Sequence, residues 1–352
     1  MAKIRISDLI PNPLKSNHPS SPQAILSQML RGYQYSQLLY IAAKTNMADI
    51  LADGEKDIAE LARLIGAKEE ILGRVIHGLI LCGLMTRNET GRFQLTPLGE
   101  SLRSDAPGSL SEWAIFIGEV YYPAWGGLLH ALRTGQTAFD HIFQMGAFEY
   151  LEQNPDARKR FNQFLLQSTK QISGVFLNAF DLSSAKRIVD IGGGQGAFLC
   201  MILQACPHLQ GILFDRPSAM EDARKQVKTA GLSDRCEMIS GDFFDSVPRD
   251  GDIYILKWVL QDWEDAKCLT ILWNCRNAMG KQAKLLVFER IVPEHIDPSS
   301  IWVDPDLHLM VFTGGKERTE AEHRALLSSA GFKITRIIRT DLDMGIIEAN
   351  PK

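Results

Sequence analysis

Apolar residues recur with helical spacing over the first hundred residues of the chain. Between Gln23 and Leu51 the apolar pattern is nearly continuous and includes small residues, as expected of helices buried in a subunit interface. Asp57 is a good helix N-cap, and Glu60 stands at the capping-box position three residues later. A second amphipathic helix is predicted over Glu69–Leu81. This part of the chain is therefore predicted to be mainly helical.

A hairpin is predicted after these helices. Leu84–Arg87 and Arg92–Thr96 are short strand-like runs, and the turn residues Asn88–Gly91 lie between them. The order helix, turn, helix and hairpin is typical of a winged-helix unit.

A winged-helix unit raises the alternative of a non-enzymatic DNA-binding regulator. The second helix has no basic stripe, and the hairpin contributes only Arg87 and Arg92. The formal net charge of −4 also argues against a nucleic-acid partner. The sequence therefore favours a dimerisation module. The exposed polar residues of the second helix are Glu69, Glu70, Arg74 and His77.

From Ala185 onward, β-branched runs alternate with helical stretches, and helices are expected between each of the first five runs. Such alternation predicts an α/β domain with a doubly wound, mainly parallel, Rossmann-like sheet that binds ligands at the carboxyl ends of its strands. The predicted strands are Arg187–Ile191, Gly211–Phe214, Cys236–Ser240, Ile253–Lys257, Lys284–Glu289, Phe332–Ile338 and Met344–Ala349.

A chain of 352 residues is too long for one ordinary core. We predict a loose N-terminal tail at residues 1–22, a winged-helix dimerisation domain at 23–110 and a cofactor-binding catalytic domain at 181–352. The helical segment between them, 111–180, is rich in aromatic residues, which suit either a core or the wall of a substrate pocket.

Cysteine usage and hydropathy indicate a cytoplasmic protein that does not span a membrane. The six cysteines form no C-x-x-C pair and no zinc-like spacing, so we interpret them as reduced thiols. Residues 1–21 lack the apolar core of a signal peptide. No uncharged apolar run approaches the ~20 residues that a bilayer-spanning helix needs.

The most specific chemical signal is the segment Ile188–Gly196. A β-branched run ends in Asp190 and continues into a loop that contains Gly192, Gly194 and Gly196. Glycines let a backbone turn sharply and approach a ligand closely. A carboxylate before the loop suits a cationic or hydroxyl-rich cofactor better than a pyrophosphate. The segment therefore indicates S-adenosylmethionine and methyl transfer.

Further polar residues fall at the ends of the next strands. Asp215 closes the second strand, where a carboxylate can accept hydrogen bonds from ribose hydroxyls. Asp242 and Phe243 follow the third strand and offer a carboxylate for an adenine amine and a ring for stacking. Lys257 closes the fourth. We predict that these residues line one cofactor site.

A dinucleotide site is the rival interpretation, because Gly192, Gly194 and Ala197 satisfy G-x-G-x-x-A. That motif is weak by itself. The preceding Asp190 and the later Asp242–Phe243 pair favour S-adenosylmethionine.

Taken together, these motifs resemble those of the plant caffeate-type and bacterial small-molecule O-methyltransferases. The resemblance covers about residues 25–350. The motifs that carry it are Asp190–Gly196, Phe214–Pro217, Gly241–Phe244, Leu256–Asp265 and Gly314–Thr319.

The resemblance implies a homodimer with interlocked N-terminal domains, S-adenosylmethionine as cofactor, and a small, often aromatic, hydroxylated substrate. It implies that Asp215 holds the ribose and that Asp242 and Phe243 lie on the adenine side. Lys257 would contact the nucleoside region, and Trp263 would pack near the adenine.

The family's catalytic group is a histidine, flanked by two glutamates, that removes the proton of the substrate hydroxyl. The glutamates match Glu289 and Glu317, but Gln261 occupies the histidine position. An amide does not accept a proton near pH 7. Loss of a general base typically costs ~10²–10⁴ in rate.

Three interpretations of Gln261 remain open at the level of sequence. The enzyme methylates an acceptor that is already ionised or that needs little help, such as an acidic phenol, a thiolate or an amine, and Gln261 orients it. Alternatively, Glu289 or His308 is the base, with His141 a weaker candidate. In the third, the fold keeps the cofactor but catalyses decarboxylation, hydroxylation or a pericyclic reaction.

A metal-dependent variant is not expected. Relatives that methylate α-keto acids at carbon resemble this chain but are associated with a metal held by two histidines. Here the matching pair would be His308 and Gln261, and a mixed pair of this kind is a poor transition-metal site.

Overall fold

The protein is described by a computed structural model that covers residues 21–294, 305–340 and 344–352. The chain divides into two units between Tyr122 and Pro123.

Short helices and one hairpin make up the N-terminal unit. The hairpin pairs β1 (Met85–Arg87) with the antiparallel β2 (Phe93–Leu95), as predicted from the sequence. The helices are α1 (Pro22–Met29), α2 (Gly32–Lys44), α3 (Met47–Ala52), α4 (Ile58–Ile65), α5 (Glu69–Leu81), α6 (Pro97–Glu100) and α7 (Ser111–Phe116), followed by a π-helical turn over Ile117–Tyr121.

The capping box predicted at the start of α4 is confirmed. The Asp57 carboxylate accepts a hydrogen bond from the backbone N–H of Glu60 at 2.9 Å, and the Glu60 carboxylate accepts one from the backbone N–H of Asp57 at 2.9 Å. The apolar faces of α2 to α5 pack with the hairpin into a core in which Leu61 and Leu79 are fully buried.

The second unit consists of helices around one sheet. Its longest helix is α12, and α13 begins directly after the glycine loop. The helices are α8 (Tyr122–Trp125, which begins one residue before the division), α9 (Leu128–Thr134), α10 (Ala138–Phe143), α11 (Ala147–Gln153), α12 (Pro155–Ala179), α13 (Ala197–Ala205), α14 (Met220–Thr229), α15 (Asp265–Ala278), α16 (Pro305–Phe312) and α17 (Glu320–Ser329).

The sheet has the order β5-β4-β3-β6-β7-β10-β9, and β8 pairs with β7. The five strands from β5 to β7 in this order are parallel, whereas β10 is antiparallel to both of its neighbours. The α/β prediction is confirmed. The strands are β3 (Arg187–Ile191), β4 (Gln210–Asp215), β5 (Cys236–Ser240), β6 (Ile253–Lys257), β7 (Lys284–Val292), β8 (Arg318–Thr319), β9 (Phe332–Arg339) and β10 (Met344–Pro351).

The central strands are buried because both faces of the sheet are covered. One face packs against α12, α13 and α14, and the other packs against α15 and α17. Since β4 lies on one side of β3 and β6 on the other, the strand order reverses at β3. A reversal of this kind opens a crevice at the carboxyl ends of the strands.

One connection differs from the prediction. A helix was expected between each pair of the first five strands, but the fully described connection from β5 to β6, residues 241–252, contains only turns, bends and irregular backbone. Asp242, Phe243 and Phe244 occupy the first part of this connection, directly after β5. The prediction was wrong because Phe243 and Phe244 pack against the core and Trp263, and their backbone carbonyls accept hydrogen bonds from Asn274 on α15.

Within the described residues, no helix combines the length and the apolar composition that crossing a bilayer requires. The six cysteines are all free thiols, as expected.

Candidate functional site

The glycine loop crosses directly above Asp190. Gly192, Gly194 and Gly196 have left-handed backbone angles with φ of 68°, 59° and 76°, which side chains rarely adopt. A Cβ added to Gly193 would lie 2.6 Å from Asp190 Oδ2 and would also overlap Leu213. Position 193, over this carboxyl group, therefore has no room for a side chain.

Asp190 is a buried acid without a partner. The residue is fully buried, and neither carboxyl oxygen has a hydrogen-bond partner among the described residues. Burial raises the pKa of Asp190 to about 7, although the charge of Lys257 acts in the opposite direction. A buried polar group without a partner is costly, so this position favours a ligand that brings a donor or a positive charge.

Asp215 ties the end of β4 to the loop. Its Oδ2 accepts a hydrogen bond from the backbone N–H of Gly194 at 2.7 Å, and its Oδ1 accepts one from the backbone N–H of Arg216 at 2.6 Å. Burial raises the pKa of Asp215, and the two N–H donors oppose this shift. The strand ends of β3 and β4 thus form one continuous polar surface.

An aromatic group lies beside the loop. Phe243 Cε1 comes within 3.5 Å of the position that a Cβ on Gly192 would take. The Trp263 ring lies 6.1 Å from the Phe243 ring and 5.6 Å from the Phe148 ring, with the latter pair stacked. Asp242 is exposed and accepts a hydrogen bond from the backbone N–H of Phe244 at 2.8 Å. Flat apolar rings next to a carboxylate suit a planar heterocycle with an amino group.

Lys257 lies at the end of β6 against aromatic rings. Its Nζ is 4.1 Å from the centre of the Trp258 ring and donates a hydrogen bond to Thr169 Oγ1 at 3.4 Å. Burial lowers the pKa of Lys257 to about 8, while Asp190 raises it. Trp258 has φ of 55°, which is unusual for a bulky residue and marks a constrained backbone at the site.

Gln261 belongs to a short 3₁₀ turn that a buried glutamate holds. Glu289 is 2% exposed, and its Oε1 accepts hydrogen bonds from the backbone N–H groups of Val259 at 3.0 Å and Gln261 at 3.1 Å. Burial raises the pKa of Glu289, and these donors oppose the shift. Burial and the Glu289 charge raise the pKa of the neighbouring Asp262 to about 8.

The pairing of β7 with β8 brings Glu317 beside Arg290. That pairing places Ile291 beside Arg318, so Arg290 and Glu317 are neighbours and form an ion pair of 2.9 Å. The backbone N–H of Glu317 donates to Asp306 Oδ1 at 2.7 Å, which links the Glu317 loop to α16.

His308 lies in a stack of rings on α16. Its ring is 6.3 Å from the Trp125 ring and 6.0 Å from the Phe312 ring, and its Nδ1 accepts a hydrogen bond from Trp125 Nε1 at 3.4 Å. Burial lowers the pKa of His308 to about 4. His141 belongs to a different group, since it stacks on His130 with 3.8 Å between ring centres.

The model of the O-methyltransferase domain family matches residues 125–333. The chain is 43% identical over 329 residues to the phenazine O-methyltransferase PhzM of Lysobacter antibioticus, covering 93% of this chain and 96% of that protein. It is 33% identical over 327 residues to the 8-amino-8-demethylriboflavin N,N-dimethyltransferase of Streptomyces davaonensis, covering 90% and 93%.

The O-methyltransferase NcsB1 of neocarzinostatin biosynthesis, solved with S-adenosylmethionine and 2-hydroxy-5-methyl naphthoic acid, has a TM-score of 0.82 and 28% identity, covering 90% of this chain and 96% of that one. The chain belongs to the S-adenosylmethionine-dependent O-methyltransferase family. The resemblance stated from the motifs is therefore confirmed, and its cofactor is S-adenosylmethionine.

The residues of this chain fit that cofactor. The carboxyl of Asp190, which accepts no hydrogen bond from the described residues, lies beneath a glycine loop whose backbone is not shielded by side chains at positions 192–194. Asp215 ends the adjacent strand, and the aromatic group of Phe243 and Trp263 is next to it along the same sheet edge. Asp190, Asp215 and Phe243 were predicted to lie at or just after strand ends, and they do so, whereas Trp263 follows the short 3₁₀ turn after β6.

Two features of the site were missed at the level of sequence. Arg318, inside the Gly314–Thr319 motif, is 1% exposed and bonds to the turn that carries Gln261. A side chain at Gly315 would overlap the backbone of Gln261 and Asp262. The Gly314–Thr319 motif was the available signal in the sequence, but it does not identify the groups that Arg318 contacts. Those contacts depend on the pairing of β7 with β8.

Replacing Gly193 by alanine should weaken cofactor binding. The added methyl group would meet Asp190 and Leu213, so the loop would have to shift. Overpacking of this kind costs about 1–3 kcal/mol. Because the shifted loop would fit the cofactor less well, we expect the dissociation constant of S-adenosylhomocysteine, measured by calorimetry, to rise about tenfold. Gly280→Ala is the matched control, because a Cβ there meets nothing within 4 Å. Equal affinities of both variants would contradict the proposed close approach of the loop.

Proposed function

We propose that the protein transfers a methyl group from S-adenosylmethionine to a small aromatic acceptor whose accepting atom needs no general base. The observation that carries this proposal is Gln261, which occupies the turn between Glu289 and the Gly314–Thr319 loop. The bound cofactor supplies an electrophilic methyl group on a sulfonium. The side chain at position 261 then has to orient the acceptor, because an amide donates and accepts hydrogen bonds but takes up no proton.

The charged groups around Gln261 support an acceptor that reacts without a general base. Glu289 uses one carboxyl oxygen to hold the turn, and Glu317 is ion-paired with Arg290. Neither arrangement resembles a base that is poised for proton transfer. An acidic phenol, already ionised at neutral pH, or an aromatic amine with its lone pair reacts without one. The N,N-dimethyltransferase among the relatives acts on such an amine, as its name states.

We propose that His308 lines the acceptor pocket and is not the base. Its pKa of about 4 makes it a weak proton acceptor near neutrality, and its Nδ1 is occupied by Trp125. The stacked rings of Trp125, His308 and Phe312 offer flat walls that suit a planar substrate. The Asp306 carboxylate on this helix accepts a hydrogen bond from the backbone N–H of Glu317, whose loop packs against Gln261 through Gly315.

For the cofactor we propose that Asp190 binds its cationic end and Asp215 its ribose. Phe243 and Trp263 would enclose the adenine, and Asp242 would accept from its amino group. Lys257 would contact the nucleoside region of the cofactor. The positions of these side chains at neighbouring strand ends support this assignment.

We further propose that the N-terminal unit is a winged-helix module that forms a homodimer. Helix α1 has no buried residue, yet it is rich in apolar side chains. Leu26, Met29 and Leu30 are 58%, 66% and 70% exposed, and Tyr33 at the start of α2 is 54% exposed. A contiguous apolar surface of this kind is typical of a protein interface.

A cytoplasmic site of action is proposed as well. All six cysteines are free thiols, and burial raises the pKa of several of them, including Cys268 and Cys275 to about 12. Unpaired thiols of this kind are typical of a reducing compartment.

Cofactor affinity should rise with pH between 6 and 8. Asp190 has a raised pKa of about 7, so the ionised form that attracts a cation is favoured only above that value. One group with this pKa changes the affinity about tenfold over the interval. Calorimetry with S-adenosylhomocysteine at several pH values measures the slope, and Asp190→Asn should flatten it. An unchanged slope in Asp190→Asn would assign the titration to Lys257, whose pKa of about 8 lies in the same interval.

Gln261→His should increase activity on neutral phenols and leave activity on acidic phenols almost unchanged. A restored base is worth up to ~10²–10⁴ in kcat/KM, and an ionised phenol does not need it. Radiolabelled methyl transfer to a pair of phenols of different acidity measures both effects, with Gln261→Asn as the matched control. If the histidine variant gains nothing and Glu289→Gln is also silent, the idea of a missing base is wrong.

The double variant Met29→Glu/Leu30→Glu should convert a dimer into monomers. Charges introduced into an apolar interface oppose its burial, and light scattering after size-exclusion chromatography measures the mass. Trp273→Glu on α15, where the native side chain is 49% exposed, is the control. A monomeric wild type, or a dimer that survives the double change, would count against this interface.

A further inference from the structure

We propose that Arg318 is a positioning residue that, together with Glu289, fixes the turn on which Gln261 is presented to the acceptor. The inference rests on the role proposed for Gln261 and extends it to the groups that hold this residue in place. Arg318 does not contact the reacting atoms in this proposal; it acts through the backbone of the turn.

Arg318 binds both ends of the turn. Its side chain is 1% exposed. Nη1 donates to the backbone carbonyl of Leu260 at 2.8 Å, and Nη2 donates to the backbone carbonyl of Trp263 at 2.8 Å. These two carbonyls flank Gln261 and Asp262, so the planar guanidinium sets the distance across the segment that carries Gln261.

The guanidinium is itself anchored on α15. Its Nε and Nη2 donate to the Asp265 carboxylate at 3.1 and 2.8 Å, and Nη2 also contacts Cys268 Sγ at 3.3 Å. Asp265 is the first residue of α15, and Cys268 lies one turn later and is fully buried. Arg318 therefore connects the turn to a rigid helix.

Glu289 and Arg318 act on opposite groups of the same turn. Glu289 accepts from the N–H groups of Val259 and Gln261, whereas Arg318 donates to the carbonyls of Leu260 and Trp263. One buried anion and one buried cation therefore satisfy four backbone groups of five consecutive residues. The backbone of Gly315 packs against the carbonyl group of Gln261, where a side chain would not fit.

A lysine would not replace this arginine. Its ammonium is a single point of donation, whereas the observed contacts use three nitrogens of one plane, directed at a carboxylate and two carbonyls. The turn would keep a positive charge near Glu289 but would lose at least one carbonyl contact. A misplacement of about 1 Å at an active site is sufficient to cost ~10²-fold in rate.

Arg318→Lys tests the proposal with a readout that does not depend on activity. Hydrogen exchange followed by mass spectrometry should show faster exchange of the amides of residues 258–264 in the complex with S-adenosylhomocysteine. The value of kcat should fall by ~10–100-fold, with a smaller change in the KM for the acceptor. Arg324→Lys, which alters an exposed ion pair with Glu320, is the matched control and should change neither quantity.

A double-mutant cycle with Gln261→Ala separates positioning from general stabilisation. If Arg318 acts through Gln261, the losses in kcat of Arg318→Lys and Gln261→Ala should not be additive. Additive losses, or wild-type exchange of residues 258–264 in Arg318→Lys, would overturn the proposal. If Gln261→Ala leaves kcat unchanged, the role proposed for Gln261 fails, while the exchange data still decide whether Arg318 holds the turn.

Asp265→Asn provides the same test if Arg318→Lys does not fold. The Asp265 carboxylate is 56% exposed and touches the guanidinium from outside, so its neutralisation loosens Arg318 without opening a cavity. Exchange of residues 258–264 should increase to a smaller extent, with kcat lowered in parallel. Faster exchange with unchanged kcat, or unchanged exchange, would contradict the positioning role.

Discussion

The turn from Val259 to Trp263 depends on buried hydrogen bonds to charged groups at both of its polar faces. Glu289 accepts from two of its N–H groups, and Arg318 donates to two of its carbonyls. Hydrogen bonds to charged groups are stronger than neutral ones, and a buried charge without partners is costly. The backbone groups of the turn therefore stabilise the two buried charges, and the charges in turn stabilise the turn. The side chains of Val259 and Leu260 are buried as well, so they anchor the turn in the core.

Burial of charged groups also determines the properties of the candidate cofactor site. Parallel strands bring Asp190, Asp215 and Lys257 to one edge. Desolvation moves the pKa of Asp190 up to about 7 and that of Lys257 down to about 8, so both groups are near their titration points without a ligand. A cation bound at Asp190, as proposed for the cofactor, would supply the partner that its buried carboxyl oxygens do not find among the described residues.

Local pattern was sufficient to predict most of this architecture. The strands β3, β5 and β6 agree with their predicted bounds at both ends, because short runs rich in apolar residues between turns are a strong signal. The helix predicted after β5 was wrong, since Phe243 and Phe244 make contacts with residues distant in sequence, Asn274 and Trp263. Arg318 was missed for the same reason: its partners lie 50 to 60 residues away, and nothing local to the Gly314–Thr319 motif identifies them.

The contacts around Gln261 are compatible with the proposed replacement of the family's catalytic base by an amide. Glu289 binds the backbone N–H of residue 261, and Gly315 packs against its carbonyl. Arg318 binds the carbonyls on either side. None of these contacts uses the side chain at position 261. The fold therefore constrains where that side chain begins but not its chemistry, so histidine and glutamine are both compatible with the same turn.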